Sequence, residues 1–449
     1  MKAKTVYLPL VFLFCANGHL FSERIAITGG TMIDVSNFGN SSRDVLNALI
    51  IIEDSKIEYA GKMRPYKQSE VDRIVDASGK HIVPGLVDGF TALDNQSFAD
   101  SYLYMGVTSI IGVYGGRRAH ALFEQAAPGP TIIKWRSLGD TEDKRPNVDS
   151  YLAEIERMAG SGVRVVLLMY ELRPYELIAC VTKAHSLGMG AMGELGYTSY
   201  VAAVDAGIDV LIHSSRYTME VAPPAMKKAV AADPFGSPAR DYVKWLVDLD
   251  AKGSMFKDYA DYLGSKRVGL MPTLILDAID LPETDNPWNY PIARISRPSD
   301  IHFPVDILSG KHAFDPASKE FRIRRARKIV ELEKVYCLNG AKYLAGSGCD
   351  VYGTLPGISL HQELFWLTQI GLTPRQPLAA STWNYCPLLG LKEIGEIRAG
   401  KKGDVLVLEK NPVKDVKNLQ TIYMVIYDGK VISRDELLKS NYGGIKEDR

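Results

Sequence analysis

Eight apolar, strand-like runs with helical segments between them dominate residues 85–350 of this chain. Each run is almost continuously apolar, which is typical of strands that are covered on both faces. The intervening segments 150–162 and 173–188 carry apolar residues at three- and four-residue spacing, which indicates helices. Eight such alternations predict an α/β fold, a (β/α)8 TIM barrel; a doubly wound sheet would show G-x-G-x-x-G after its first strand. The runs are 85–92, 107–115, 131–139, 163–171, 189–195, 208–214, 268–274 and 342–350.

Short alternating β segments lie on both sides of the predicted barrel, at 24–34, 47–61 and 73–85 and again at 394–410 and 422–433. Each group is too small to be stable alone, so we expect the two groups to pair in one composite β domain. The sequence therefore predicts a signal peptide and three further parts, namely 1–22, 23–84 (N-terminal part of the small domain), 85–390 (barrel) and 391–449 (C-terminal part of the small domain).

The first 22 residues have the pattern of an export signal. Lys2 and Lys4 precede the apolar run "VYLPLVFLFCA", which is too short to span a bilayer comfortably. We expect cleavage and a periplasmic or secreted protein; the alternative is a lipoprotein anchored at Cys15. No other segment is apolar enough for a stable membrane span. The remaining cysteines form no C-x-x-C pair and can be buried thiols or disulfides: Cys180, Cys337, Cys349 and Cys386.

Charge balance bears on the kind of partner. The 449 residues include 53 basic and 53 acidic side chains, so the formal net charge is zero. A neutral chain offers no electrostatic attraction for nucleic acid, and a small-molecule ligand or substrate fits better. The sequence leaves the oligomeric state open.

Several local motifs carry a family resemblance over nearly all of the chain after residue 22. They are "GKHIVPGLVD" (79–88), "AHSLG" (184–188), "AVDAGIDVLIHS" (203–214), "LPGISLHQEL" (355–364), "GLTPRQPLAAST" (371–382) and "GEIRAGKKGDVLVLEKNPVKDVKNL" (395–419). The chain thereby resembles the amidohydrolase superfamily, in its imidazolonepropionase-like and dipeptidase-like branch. The resemblance implies hydrolysis of a carbon–nitrogen bond in a small amide, lactam or dipeptide-like substrate. It also implies a metal at the barrel mouth, where zinc activates water and polarises a carbonyl.

The positions that this resemblance assigns to metal ligands are mostly changed. The H-x-H expected at the end of the first strand is Phe90-Thr91-Ala92, and the fourth strand has Leu167 or Leu168 in place of lysine or glutamate. The fifth strand offers Gly193 or Glu194 in place of histidine, and the eighth offers Gly348 in place of aspartate. His213 is the retained family ligand. A catalytic zinc needs three protein ligands, so the sequence predicts no bound cofactor.

Two alternatives concern the polar residues that are left at or near these ligand positions. A salvage site for a single zinc would combine Glu194, His213 and Asp350, with Asp350 and Glu194 as catalytic candidates. Otherwise His213 is a hydrogen-bonded side chain in a polar pocket and Glu194 pairs with Arg216 or a neighbouring residue. The candidate substrate-binding residues are Phe90, Lys134, Arg136, Tyr170 and Arg216.

Two function classes follow. The first is a hydrolase that acts on C–N bonds through an altered site, and the second is a metal-free pseudoenzyme that binds a ligand or partner on the same fold.

Overall fold

A computed structural model describes residues 23–114, 123–139, 147–300, 305–349 and 351–440. The predicted signal peptide with Cys15, and the catalytic candidate Asp350, lie outside the described residues. Within them, no helix is both long enough and apolar enough to cross a membrane.

Six strands precede the barrel and form parts of two small sheets. They are β1 (Ile25–Thr28), β2 (Thr31–Met32), β3 (Ala48–Glu53), β4 (Lys56–Lys62), β5 (Arg73–Asp76) and β6 (His81–Pro84).

The central sheet has eight parallel strands in the order of the chain, and each lies within one of the eight predicted runs. The segment that follows the last strand reaches the first strand through two backbone hydrogen bonds, Gly89 N–H to Ala345 O (3.0 Å) and Gly348 N–H to Phe90 O (2.8 Å). The curled sheet of eight parallel strands is consistent with the predicted TIM-like barrel. Its strands are β7 (Leu86–Thr91), β8 (Val107–Tyr114), β9 (Thr131–Leu138), β10 (Val165–Leu168), β11 (Gly190–Gly193), β12 (Val210–Ile212), β13 (Gly269–Met271) and β16 (Lys342–Tyr343).

The barrel strands are apolar on both faces because each face is buried in a different layer. In β10, Val165 and Leu167 pack inside the barrel, whereas Val166 and Leu168 pack against the surrounding helices. Leu388 and Leu389 of a helix that follows the barrel join the interior cluster. Alternate side chains of one strand thus enter separate cores, which is why the sequence shows no polar alternation.

Strands from both sides of the barrel in sequence meet in one small sheet. The strands after the barrel are β17 (Val405–Leu408), β18 (Ile422–Tyr427) and β19 (Lys430–Ile432), and the sheet order is β19-β18-β17-β6-β2. The contact between β6 and β17 is antiparallel, with Val83 opposite Leu406. The second sheet, in the order β4-β3-β1-β5, contains N-terminal strands.

Fourteen helices lie within the described residues. Between the seventh and eighth barrel strands, the described residues of 275–325 hold a short helix, three 3-10 turns, the hairpin of β14 (Val305–Asp306) and β15 (Lys311–His312), and the start of a 23-residue helix. The helices are α1 (Gln96–Tyr104), α2 (Val148–Gly160), α3 (Pro174–Ser186), α4 (Tyr200–Asp205), α5 (Ser214–Tyr217), α6 (Pro224–Ala232), α7 (Ser237–Val247), α8 (Ser254–Ser265), α9 (Ile275–Ala278), α10 (Pro316–Leu338), α11 (Ile358–Gln369), α12 (Arg375–Ala380), α13 (Tyr385–Leu389) and α14 (Arg434–Lys439).

The four cysteines among the described residues, Cys180, Cys337, Cys349 and Cys386, are not joined by disulfides.

Candidate functional site

A cavity of about 1620 Å³ opens at the carboxyl ends of the barrel strands. The strand-end residues Phe90, Trp135, Leu167 and His213 line it, together with residues of the loops and helices that follow them. In TIM-barrel enzymes the active site lies at this face. The cavity is therefore the candidate functional site.

Aromatic rings occupy the place where the resemblance implies a pair of metal-binding histidines. Phe90 packs against Trp135 with ring centroids 5.5 Å apart, and its ring lies edge-on to the imidazole of His213 at 5.1 Å. Ala92, the second of the two positions, also lines the cavity. This end of the barrel therefore presents an apolar surface directly beside its retained histidine.

His213 is held in an unusual backbone conformation. Its φ is +63°, and that of Thr273 at the end of β13 is +50°. Positive φ is uncommon for residues other than glycine and is an outlier for a β-branched residue; each such position costs about 1–3 kcal/mol. The imidazole Nδ1 lies 2.7 Å from Thr273 Oγ1, and the His213 N–H donates to Met271 O (2.9 Å). Burial lowers the pKa of His213, so the ring is neutral near pH 7.

A buried ion pair forms a second part of the wall. Arg216 Nε lies 3.1 Å from Glu194 Oε1, and the Tyr170 hydroxyl donates to the same oxygen. The Arg216 guanidinium also lies over the rings of Tyr170 (5.1 Å) and Phe235 (5.4 Å) and donates to Pro234 O (3.2 Å). Burial, followed by the charge of Glu194, raises the pKa of Tyr170 well above its usual range, so its hydroxyl stays a donor. The pairing of Glu194 with Arg216, one of the two alternatives for Glu194, is present.

A buried carboxyl supports the chain just after His213. Glu333 of α10 accepts hydrogen bonds from Ser214 Oγ (2.6 Å), Tyr217 Oη (2.6 Å) and Tyr343 Oη (2.9 Å). Burial raises the pKa of Glu333 to about 7, even though these three hydroxyls act to lower it. This support was missed from the sequence, as was Thr273, because neither residue belongs to a recognisable motif.

Two of the candidate substrate-binding residues lie away from the cavity. Lys134 Nζ is 2.8 Å from Glu124, and Arg136 lies 3.8 Å from Glu154 of α2. Alternate residues of a strand point to opposite faces, and in β9 it is Trp135 and Ser137 that line the cavity. Lys134 and Arg136 therefore project outward from the barrel. Of the five candidates, Phe90, Tyr170 and Arg216 line the cavity.

The described residues of the site do not fit a metal ion. Leu167, rather than its neighbour Leu168, is the fourth-strand residue at the cavity, and Gly348 lies at the end of the eighth. Nδ1 of His213 is engaged with Thr273 and Glu194 with Arg216. The part of the chain that the structure describes contains no group of three histidine, cysteine, aspartate or glutamate side chains able to hold a metal.

Comparison with known proteins shows likeness in fold. No protein-family model matches the chain, and no curated protein does. Solved structures do match. The bottromycin amidohydrolase is 17% identical with a TM-score of 0.65 and covers 92% of this chain and 87% of its own. A putative prolidase from Bifidobacterium longum is 17% identical with a TM-score of 0.61 and covers 94% and 100%. A Xaa-Pro dipeptidase with bound methionine in its active site is 14% identical with a TM-score of 0.60 and covers 92% and 100%.

These likenesses define the fold class. The chain has the fold of amidohydrolase and prolidase structures, as its sequence resemblance to the amidohydrolase superfamily predicts. At 14–17% identity the likeness concerns the fold, and the chemistry has to be argued from the site itself.

Proposed function

We propose that this protein binds a small organic molecule in the barrel cavity without a metal ion, on a fold shared with hydrolases of C–N bonds. The observation that carries the proposal is the edge-on packing of Phe90 against His213. Phe90 stands where the resemblance implies a metal-binding histidine, and its ring cannot ligate a metal. The same ring adds apolar surface for an organic ligand.

The lining of the cavity indicates the chemistry of the ligand. Phe90, Trp135 and Leu167 offer an apolar surface, and the Glu194–Arg216 pair offers a polar one. Aromatic side chains that are partly exposed also line the cavity: Tyr197, Phe235 and Tyr352. A molecule with an aromatic or aliphatic body and a few hydrogen-bonding groups suits this combination.

A second candidate function is metal-free hydrolysis of a C–N bond in a small amide, lactam or dipeptide-like substrate. The observation that favours it is a neutral imidazole at the cavity, since a neutral histidine is able to accept a proton from water. Glu194 and Asp350 stay the catalytic candidates for this reaction, Asp350 as a prediction from the sequence.

The binding of small-molecule fragments, measured by ligand-detected NMR, tests the first proposal. Ala92→Trp would fill the cavity from its apolar side, and Leu338→Trp, on the exposed end of α10, is the matched control. We expect apolar fragments with one or two polar groups to bind the unchanged protein and the Leu338 variant. Binding to the Ala92 variant should fall by at least about tenfold, since about 1.4 kcal/mol of lost contact suffices for that. Equal binding to all three proteins would contradict the proposal.

Turnover separates the two candidates, and metal content tests the premise that they share. We expect well under one equivalent of zinc, manganese or iron in protein purified without chelators. Cleavage of a dipeptide or lactam that persists in chelator and disappears in His213→Ala would favour hydrolysis. A stoichiometric metal that disappears in His213→Ala or Asp350→Ala would instead show that the salvage site exists.

A further inference from the structure

Two strained residues meet at the cavity end of the barrel. His213 follows β12 and Thr273 follows β13, both with positive φ, and their side chains are joined by the 2.7 Å contact between Nδ1 and Oγ1. Both residues line the cavity. Backbone strain of this kind is found preferentially at functional sites, where the surrounding structure maintains it.

The direction of the hydrogen bond between them follows from counting protons. A threonine hydroxyl has one proton, and Thr273 Oγ1 donates it to the backbone oxygen of Pro272 at 2.7 Å. The same hydroxyl oxygen therefore acts as the acceptor towards His213. With the threonine proton directed to Pro272 O, the imidazole carries its own proton on Nδ1, and in the neutral ring Nε2 has a free lone pair.

The Nε2 atom is the available polar atom of this ring. The described residues give it no hydrogen-bond partner, although His213 lines the cavity. Phe90 packs edge-on against the ring and Thr273 holds its opposite nitrogen, so the orientation of the imidazole is restrained from two directions. A ligand atom that meets Nε2 must be a donor, because a neutral Nδ1–H imidazole only accepts there.

We propose that Thr273 is a positioning residue that fixes His213 in the Nδ1–H tautomer, so that the cavity selects ligands that bring an N–H or O–H donor to Nε2. The selection of donor ligands rests on the proposed small-molecule function and narrows its ligand class to hydrogen-bond donors. The tautomer of His213 is a property of this chain alone and is tested without any ligand.

The tautomer is measured by two-bond ¹H–¹⁵N correlation NMR on histidine-labelled protein, with His213→Gln to assign the signals. We expect the unchanged protein to show the Nδ1–H pattern. Thr273→Val keeps the shape and branching of the side chain but removes the acceptor, so the Nε2–H form that free histidine prefers should appear. Thr273→Ser is the matched control and should restore the Nδ1–H pattern. An Nε2–H pattern in the unchanged protein, or no change in Thr273→Val, would overturn the assignment.

A pair of probes of nearly equal shape tests the ligand class. Indole has an N–H donor where benzofuran has an oxygen acceptor. One hydrogen bond is worth about tenfold in affinity, so indole should bind the unchanged protein about ten times more tightly than benzofuran. In Thr273→Val the ratio should approach one. Equal binding of both probes to the unchanged protein would refute donor selection. Binding of neither probe, with the tautomer as expected, would count against the small-molecule function and leave the role of Thr273 supported.

Discussion

The most quantitative prediction concerns a buried carboxyl of α11. The Glu363 side chain is fully buried; its Oε2 accepts a hydrogen bond from the Ile275 N–H (2.8 Å), and its Oε1 has no partner among the described residues. Burial raises the pKa of Glu363 from 4.5 to about 8. The folded protein therefore holds this proton at pH 7, where the unfolded chain releases it.

The sign and size of the effect on stability follow by linkage. Between pH 4.5 and pH 8 the folded state binds more protons at Glu363 than the unfolded state does, so the free energy of unfolding falls as the pH rises. Each pH unit between these two values lowers the free energy of unfolding by at most about 1.4 kcal/mol. The loss between pH 4.5 and pH 7 is therefore about 3 kcal/mol. The full contribution is present below pH 4.5 and is lost by about pH 8.

Glu363→Gln removes this titration while keeping an oxygen for the Ile275 N–H. Urea unfolding at a series of pH values should show a pH dependence that is flatter than in the unchanged protein by about 3 kcal/mol between pH 4.5 and pH 7. Asp88 and Glu333 also have pKa values raised by burial, to about 6 and about 7, but they titrate in both proteins, so the difference between the two curves reports the Glu363 proton and its coupling to these two groups. Glu320→Gln, on the exposed part of α10, is the control and should leave the slope unchanged. Parallel curves for Glu363→Gln and the unchanged protein would refute the reasoning.

Two further predictions concern the ends of the chain. Deleting residues 394–449 removes β17 from β6 and leaves a sheet edge open, so we expect an insoluble protein or a lower Tm; a soluble protein with unchanged Tm would show that the pairing is dispensable. If residues 1–22 direct export, protein isolated from its native host should begin between Asn17 and Glu23 by N-terminal sequencing, and an intact Met1 on the soluble protein would contradict export.

The barrel was predictable from the sequence because its signal is repeated. Each of the eight strands is buried on both faces, and each is followed by a segment that returns the chain to the other end of the barrel. The same burial hides which residues of a strand face inward. In β9, however, the inward Ile133 and Trp135 alternate with the outward Lys134 and Arg136, a local signal that was overlooked when the whole run was interpreted as apolar on both faces.

The centre of the site was only partly predictable. Phe90, His213, Glu194 and Arg216 were found because motifs place them at strand ends. Thr273 was missed because a positive φ leaves no mark on a sequence when the residue is not glycine. Glu333 was missed because it is one of many charged residues in a long helix, and its burial depends on hydroxyls from three other segments of the chain. Tertiary contacts of this kind override what local composition indicates.

The pairing of β6 with β17 also sets an order of events during synthesis. More than 300 residues separate the two strands. Because a ribosome adds about 5–20 residues per second, β17 is synthesised roughly 15–60 s after β6. Throughout that time one edge of β6 is without the strand that covers it in the finished protein. Loop closure over such a distance is slow compared with local folding, and an uncovered strand edge is a site for aggregation. The nascent chain therefore needs its early strands shielded until the last tenth of the sequence has been made.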